Sequence, residues 1–338
     1  MKRLILLSIV ILFGVSMVNA AIWRVNNMPD MNADFSNLQD AIDAASNGDI
    51  IYIEGTGLVY EGATIILTKS LSFYGSGYYL LENEDTQANQ LPVDLGMAFE
   101  LAPGSEGTTF SGLRLSGWHL YIGTHDVTVE RCYLYLEIRL LADQNSVSNF
   151  MMKQCVVAGE VWMWTMYINS SNLIFENNIF YNGLSTNSDL ANYTVKNNIF
   201  IGHYSGFSGV NTVVQNNIVE GGITSTVSND NLVENNIIAA DATMPETGSN
   251  NIGDVDFADV FVDYPNGDNT SPDAMYQLKE GSVAIGHGVN GVDCGIFDGD
   301  FPYVLSGLPP IPRFYESDIS TLGTSQGLKV SFKAKSQH

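Results

Sequence analysis

The chain of 338 residues carries 14 Lys+Arg against 37 Asp+Glu, a formal net charge of −23, with 45% hydrophobic and 15% charged residues. Disorder is excluded, because a disordered chain combines little hydrophobicity with much charge. Nucleic acid and anionic lipid are poor partners for such a chain, since both are held by clustered Lys and Arg. In chain order, Lys2 and Arg3 precede an apolar run from Leu4 to Val18, and Val18-Asn19-Ala20 ends it with small residues. A basic start, a short apolar middle and a small-residue exit predict a secretory signal over 1–20, since the run falls short of the ~20 residues of a spanning helix. No later stretch is long and apolar enough to span a membrane as a helix, so a secreted protein, extracellular or at the cell surface, is expected.

Next, Ser36-Asn-Leu-Gln39 has the pattern of a capping box. Leu38, Ala41, Ile42 and Ala45 follow at i, i+3, i+4 and i+7, which predicts a short helix over 36–46 that covers the end of the domain. Asn47-Gly48 stops it, and Ile50-Ile51-Tyr52-Ile53 begins a strand. A repeat then sets the architecture. Phe175-Glu-Asn-Asn-Ile-Phe180, Val195-Lys-Asn-Asn-Ile-Phe200, Val214-Gln-Asn-Asn-Ile-Val219 and Val233-Glu-Asn-Asn-Ile-Ile238 align without gaps, and their second asparagines Asn178, Asn198, Asn217 and Asn236 recur every 19 or 20 residues. Val129-Glu-Arg-Cys132 and Met152-Lys-Gln-Cys155 extend the frame backwards, and Asn250-Asn251 extends it forwards. Such a period signals stacked supersecondary units, and β-branched and aromatic runs punctuated by Gly and Asn make each unit a coil of short strands. The fold class expected is all-β, a single-stranded right-handed parallel β-helix with an N-terminal capping helix.

In that fold the second Asn of each pair points inward and bonds the next coil, satisfying buried turn groups, while the first tolerates a left-handed turn. Cys132 and Cys155 occupy the same column and are expected as small buried ladder residues. A disulfide is the alternative, because rungs ~4.8 Å apart lie within bridging range. Beyond residue 305, Pro309, Pro310 and Pro312 break the coil pattern, and Leu328, Val330 and Phe332 alternate with Lys329, Ser331 and Lys333. Three segments are therefore expected: the signal over 1–20, the β-helix with its cap over 21–305, and a proline-rich link with a covering or edge strand over 306–338.

The opening Leu38–Ile53, the stretch Lys69-Ser-Leu-Ser-Phe-Tyr-Gly75 and the Asn-Asn coils together resemble secreted right-handed parallel β-helix proteins of the pectate-lyase-like superfamily. Tyr276–Gly286 and Asp293-Cys-Gly-Ile-Phe297 resemble the closing coils of bacterial members, often Bacteroidota surface proteins. The resemblance implies a polysaccharide or glycan partner but no single activity, because the superfamily includes lyases, hydrolases, epimerases and adhesins.

Catalytic signatures of such enzymes are sparse. The chain contains no Asp-Asp pair and no Arg-x-Pro-x-x-Arg element, and Gly286-His287-Gly288 stands without the partners of a polygalacturonase-like site. A candidate outer stripe remains. With Leu120/Ile122, Ile138/Leu140 and Val161/Met163 pointing inward, alternation sends His119, Tyr121, Glu137, Arg139, Trp162 and Trp164 outward on neighbouring coils, with His203 and Tyr204 extending the face. Trp162, Trp164, Tyr121 and His203 are candidate ligand-binding residues, and Glu137, Arg139 and His119 are weaker candidates for catalysis. Asp254, Asp256 and Asp259 lie in a carboxylate-rich stretch that could hold Ca2+, though its spacing fits no EF-hand and a solvated loop before the closing coil is the favoured reading. The expected function is carbohydrate contact without an evident catalytic signature. The alternatives are a polysaccharide lyase or glycoside hydrolase on the same lateral face, and a structural or adhesive surface protein.

Overall fold

A computed structural model describes residues 20–140, 147–163, 171–186, 192–201, 211–223, 230–319 and 329–336. Short strands stack in parallel register into a right-handed β-helix. Among the described residues, two ten-stranded sheets and one six-stranded sheet form its walls. Sheet A begins with Ile22–Val25 and ends with Leu232–Glu234, sheet B runs from Val59–Tyr60 to Ile252–Val255, and sheet C runs from Ile65–Leu67 to Leu184–Thr186. One residue per rung turns the chain from sheet A to sheet B. Arg131, Gln154, Asn177, Asn197, Asn216, Asn235 and Asn250 hold this position with φ of 53° to 58°, a left-handed conformation that Asn tolerates better than most residues.

The residue after each turn points into the core, and there the asparagines stand in file. Asn178 Nδ2 donates to Asn198 Oδ1 at 3.0 Å, Asn198 to Asn217 at 3.1 Å, Asn217 to Asn236 at 2.9 Å and Asn236 to Asn251 at 2.9 Å. Each Oδ1 also accepts the backbone N–H of the preceding rung, and Asn198 Nδ2 reaches Phe175 O at 2.8 Å. The column therefore satisfies a buried donor and a buried acceptor at every turn, groups that would otherwise cost ~1–3 kcal/mol each. Asn178 Oδ1 also takes the Cys155 N–H at 2.9 Å, where the file passes to cysteine. The two thiols are buried and free rather than bridged. Burial pushes the Cys155 thiol up to about 12 and raises the Cys132 thiol well above its ordinary value, so both stay neutral.

The predicted helix forms as α1, Leu38–Ala44, and buries Leu38, Ala41 and Ile42. Its N-cap is Asn37, not Ser36: Asn37 Oδ1 accepts the N–H groups of both Gln39 and Asp40, and asparagine caps as well as serine. At the other end Lys69, on the next coil, donates to the carbonyls of Ile42, Asp43 and Ala45 at 2.8–2.9 Å, where a cation suits the helix terminus.

The end of the chain departs from expectation. Residues 276–297 do not form closing coils. After the last sheet B strand, Ile252–Val255, the chain turns back and runs along the left-handed column toward the start of the stack. Asn235 Nδ2 donates to His287 O, Asn216 Oδ1 accepts from Val289 N–H, and Asn197 Nδ2 donates to Gly295 O. Asn177 then reaches Ile296 O, Gln154 reaches Pro302 O, Arg131 reaches Leu308 O and Gly112 lies against Pro309. Arg313 Nε finally donates to Thr86 O at 2.7 Å. The segment also packs on the outside of sheet B, joining Val156, Ile179, Ile199, Ile218 and Ile237 to Phe257, Phe261, Tyr276, Cys294 and Ile296 in a second apolar core. Buried Asp273 locks it by accepting from Asn83 Nδ2, Ser271 Oγ, Ser306 N–H and Tyr303 OH.

The lysine-bearing strand of the C-terminal segment forms as Val330–Lys335, paired antiparallel with Arg313–Ile319. Val330 and Phe332 are exposed, and Phe332 meets Phe314 of the paired strand edge-on. Leu328 lies outside the described residues.

Candidate functional site

Sheet C keeps the alternation expected of it. Leu120, Ile122, Ile138, Leu140 and Val161 are fully buried, so their neighbours face outward. Parallel register sets His119 beside Glu137, Tyr121 beside Arg139 and Arg139 beside Trp162. One rung earlier Glu100 lies beside Tyr121, and Ile66 lies beside Glu100. Stacking of coils therefore gathers onto one wall side chains that are 18 to 34 residues apart in sequence. Trp164 and His203 lie outside the described residues.

The side chains on this wall hold one another in place. The His119 and Tyr121 rings stack at 3.7 Å with 18° between their planes, and His119 Nε2 lies 3.2 Å from Glu100 Oε1. The Arg139 guanidinium sits 5.4 Å over the Tyr121 ring and donates through Nε to Glu137 Oε1 at 2.8 Å. That bond, followed by the charge of Glu137, raises the Arg139 pKa further, so Arg139 is a fixed cation and not a base. Trp162 is tethered by its indole N–H to Glu160 Oε2 at 2.9 Å. Glu100, Ile66 and Trp118 belong to the same neighbourhood and were missed in sequence. Glu100 was legible from Phe99-Glu-Leu101, which alternates like the later sheet C strands, whereas Trp118, 86% exposed, sits at a corner where alternation gives no guide.

Such a wall can lay ring faces against the apolar face of a sugar and offer Glu100, Glu137 and Arg139 to its hydroxyls. It offers no cradle for a cation. Among the described residues, no three His, Cys, Asp or Glu side chains gather so as to hold a metal ion. The acidic stretch is used for folding instead: Asp256 Oδ1 accepts from Ala258 N–H at the start of a 3-10 turn, Asp254 holds a left-handed conformation inside the strand Ile252–Val255, and Asp259 lies 3.9 Å from Lys279. His287, on the returning segment, bonds Asn250 O at 2.7 Å.

No family model matches the chain, and no curated protein matches it. A solved structure similar in outline is that of the pectate lyase Pel9A, with 14% identity and a TM-score of 0.36 over 85% of this chain and 97% of that one. No residue role is carried over at that distance.

Proposed function

We propose that the protein is an exported, glycan-binding β-helix whose outer sheet C wall is the binding face. The observation that carries the reading is the locked array on neighbouring rungs: the stacked His119–Tyr121 pair, Arg139 over it and Trp162 beside it. Rings held by neighbours lose little freedom on binding, which favours recognition of a repetitive, weakly charged polymer. Measured against a panel of soluble glycans, Tyr121→Ala and Trp162→Ala should each weaken binding of the best ligand about tenfold, the equivalent of ~1.4 kcal/mol. Unchanged affinity in both variants contradicts the reading.

The carboxylate–histidine contact between Glu100 and His119, one rung from Glu137, supports a second reading as a polysaccharide lyase or hydrolase. Under it the protein releases oligosaccharides from a polymer, and Glu137→Gln stops release without weakening binding. Arg139, the only cation of this array among the described residues, is already committed to Glu137, which favours binding over chemistry.

A further inference from the structure

The outer column of sheet B changes character along its length. In register it reads Val59, Asp94, Arg114, Tyr133, Val156, Ile179, Ile199, Ile218, Ile237. The apolar part is covered by the returning segment. Where arginine replaces the branched aliphatics, the cover is instead the loop of residues 78–92, and between loop and sheet opens a cleft of about 200 Å³. Tyr79, Leu81, Tyr133 and Tyr135 wall it, with Arg114, Glu82 and Gln90 as its polar groups. We infer that this cleft is a second binding site, for a single neutral sugar ring.

The aromatic wall is preformed. The Tyr133 and Tyr135 rings stack at 4.3 Å, Tyr79 packs edge-on against Tyr133 at 5.5 Å, and Tyr135 keeps 48% of its surface exposed. Arg114 lies over Tyr135 with its Cζ 5.5 Å from the ring centre. Its nearest charge, Asp94, is 3.8 Å away, too far for a hydrogen bond, and Asp94 already accepts from the Ser116 hydroxyl. Arg114 Nε is buried without an acceptor, one of two such side-chain atoms among the described residues. An arginine so underused beside a ring-walled cleft is a group awaiting an acceptor, and buried unpaired donors concentrate at functional sites.

Size and charge select the ligand class. Drug-sized molecules fill roughly 300–1,000 Å³, so a cleft of about 200 Å³ takes one ring and not two. Asp94 and Glu82 flank the single cation Arg114, and the whole chain carries −23, which disfavours a uronic acid. Hydroxyl groups both donate and accept, matching Glu82, Gln90 and Arg114 together. This site stands apart from the sheet C wall: Tyr135 follows the sheet B strand Tyr133–Leu134, and Glu137, two residues on, begins the sheet C strand around the corner.

Saturation-transfer NMR on the full chain, with methyl glycosides of neutral hexoses and of hexuronic acids as probes, tests the proposal. A neutral glycoside should bind in the millimolar range and lose at least tenfold in affinity in Tyr135→Ala and in Arg114→Gln, both checked for an unchanged melting temperature. Affinity that is lost in Tyr121→Ala or Trp162→Ala but kept in Tyr135→Ala and Arg114→Gln assigns the binding to the sheet C wall and overturns the second site. The proposal is equally overturned by no neutral glycoside binding, by binding that survives Tyr135→Ala and Arg114→Gln, or by tighter binding of the hexuronate.

Discussion

The outer faces of sheets B and C are built from the same coils but meet opposite fates. Sheet C alternates buried and half-exposed residues, as in His119–Ile122 and Glu137–Leu140, and the outer side chains of these two strands are polar or aromatic. Sheet B strands such as Ile179–Phe180 and Ile199–Phe200 are buried on both faces. The difference lies outside the repeat: residues 257–313 return along sheet B and bury its outer face. In a solenoid every wall starts equivalent, and a segment without the repeat decides which wall can meet a ligand. Where that cover ends, at Tyr133 and Arg114, a cleft lined by an arginine appears on the otherwise covered wall.

The column shared by both faces gives the largest effect. Asn198→Ala removes the acceptor for two buried donors of Asn178 and should cost about 3–5 kcal/mol in chemical unfolding. A cost under ~1 kcal/mol would mean that the column is not a stabilising file. Next, Ile199→Ala on the covered wall should cost about 2–4 kcal/mol as a buried truncation, while Tyr121→Ala on the open wall should stay within about 1 kcal/mol. Equal costs would break the distinction between the walls. The smallest effect concerns the anchoring of the first rung. Asp49 accepts from Ser46 N–H, Ala21 N–H and the Trp23 indole, and these bonds hold its carboxyl below the usual 3.8. A lowered folded-state pKa contributes stability that is present above 3.8 and lost as pH falls through the folded value. The melting temperature of Asp49→Asn should therefore lie below that of the parent at pH 7, with the gap closing below pH 3.8. A gap independent of pH contradicts that role for the charge.

Much of the rod was legible in sequence, because each of its determinants is local and repeated. The Asn pairs gave both the left-handed turns and the inward file, and alternation oriented the sheet C strands correctly from Leu120 to Val161. The doubled apolar residues after each Asn pair, Ile179–Phe180 for example, are a signal of strands buried on both faces that went unread. What lies over them was not legible. Residues 276–297 carry isolated apolar residues between Gly and Asp turns, which resemble coil corners, and their partners lie as far as 119 residues away, as Asn177 and Ile296 show. The cleft at Arg114 was hidden for the same reason, since its two sides come from the loop of residues 78–92 and from rungs at 114 and 133.

The contrast between covered and open walls is most directly tested by thiol labelling of the folded chain carrying either Ile199→Cys or Tyr121→Cys. The native Cys132, Cys155 and Cys294 are buried and give a silent background. The structure predicts rapid modification of Tyr121→Cys and protection of Ile199→Cys until global unfolding. Similar rapid rates at both positions would show that sheet B is not covered by the returning segment and would contradict the assignment of sheet C as the open face.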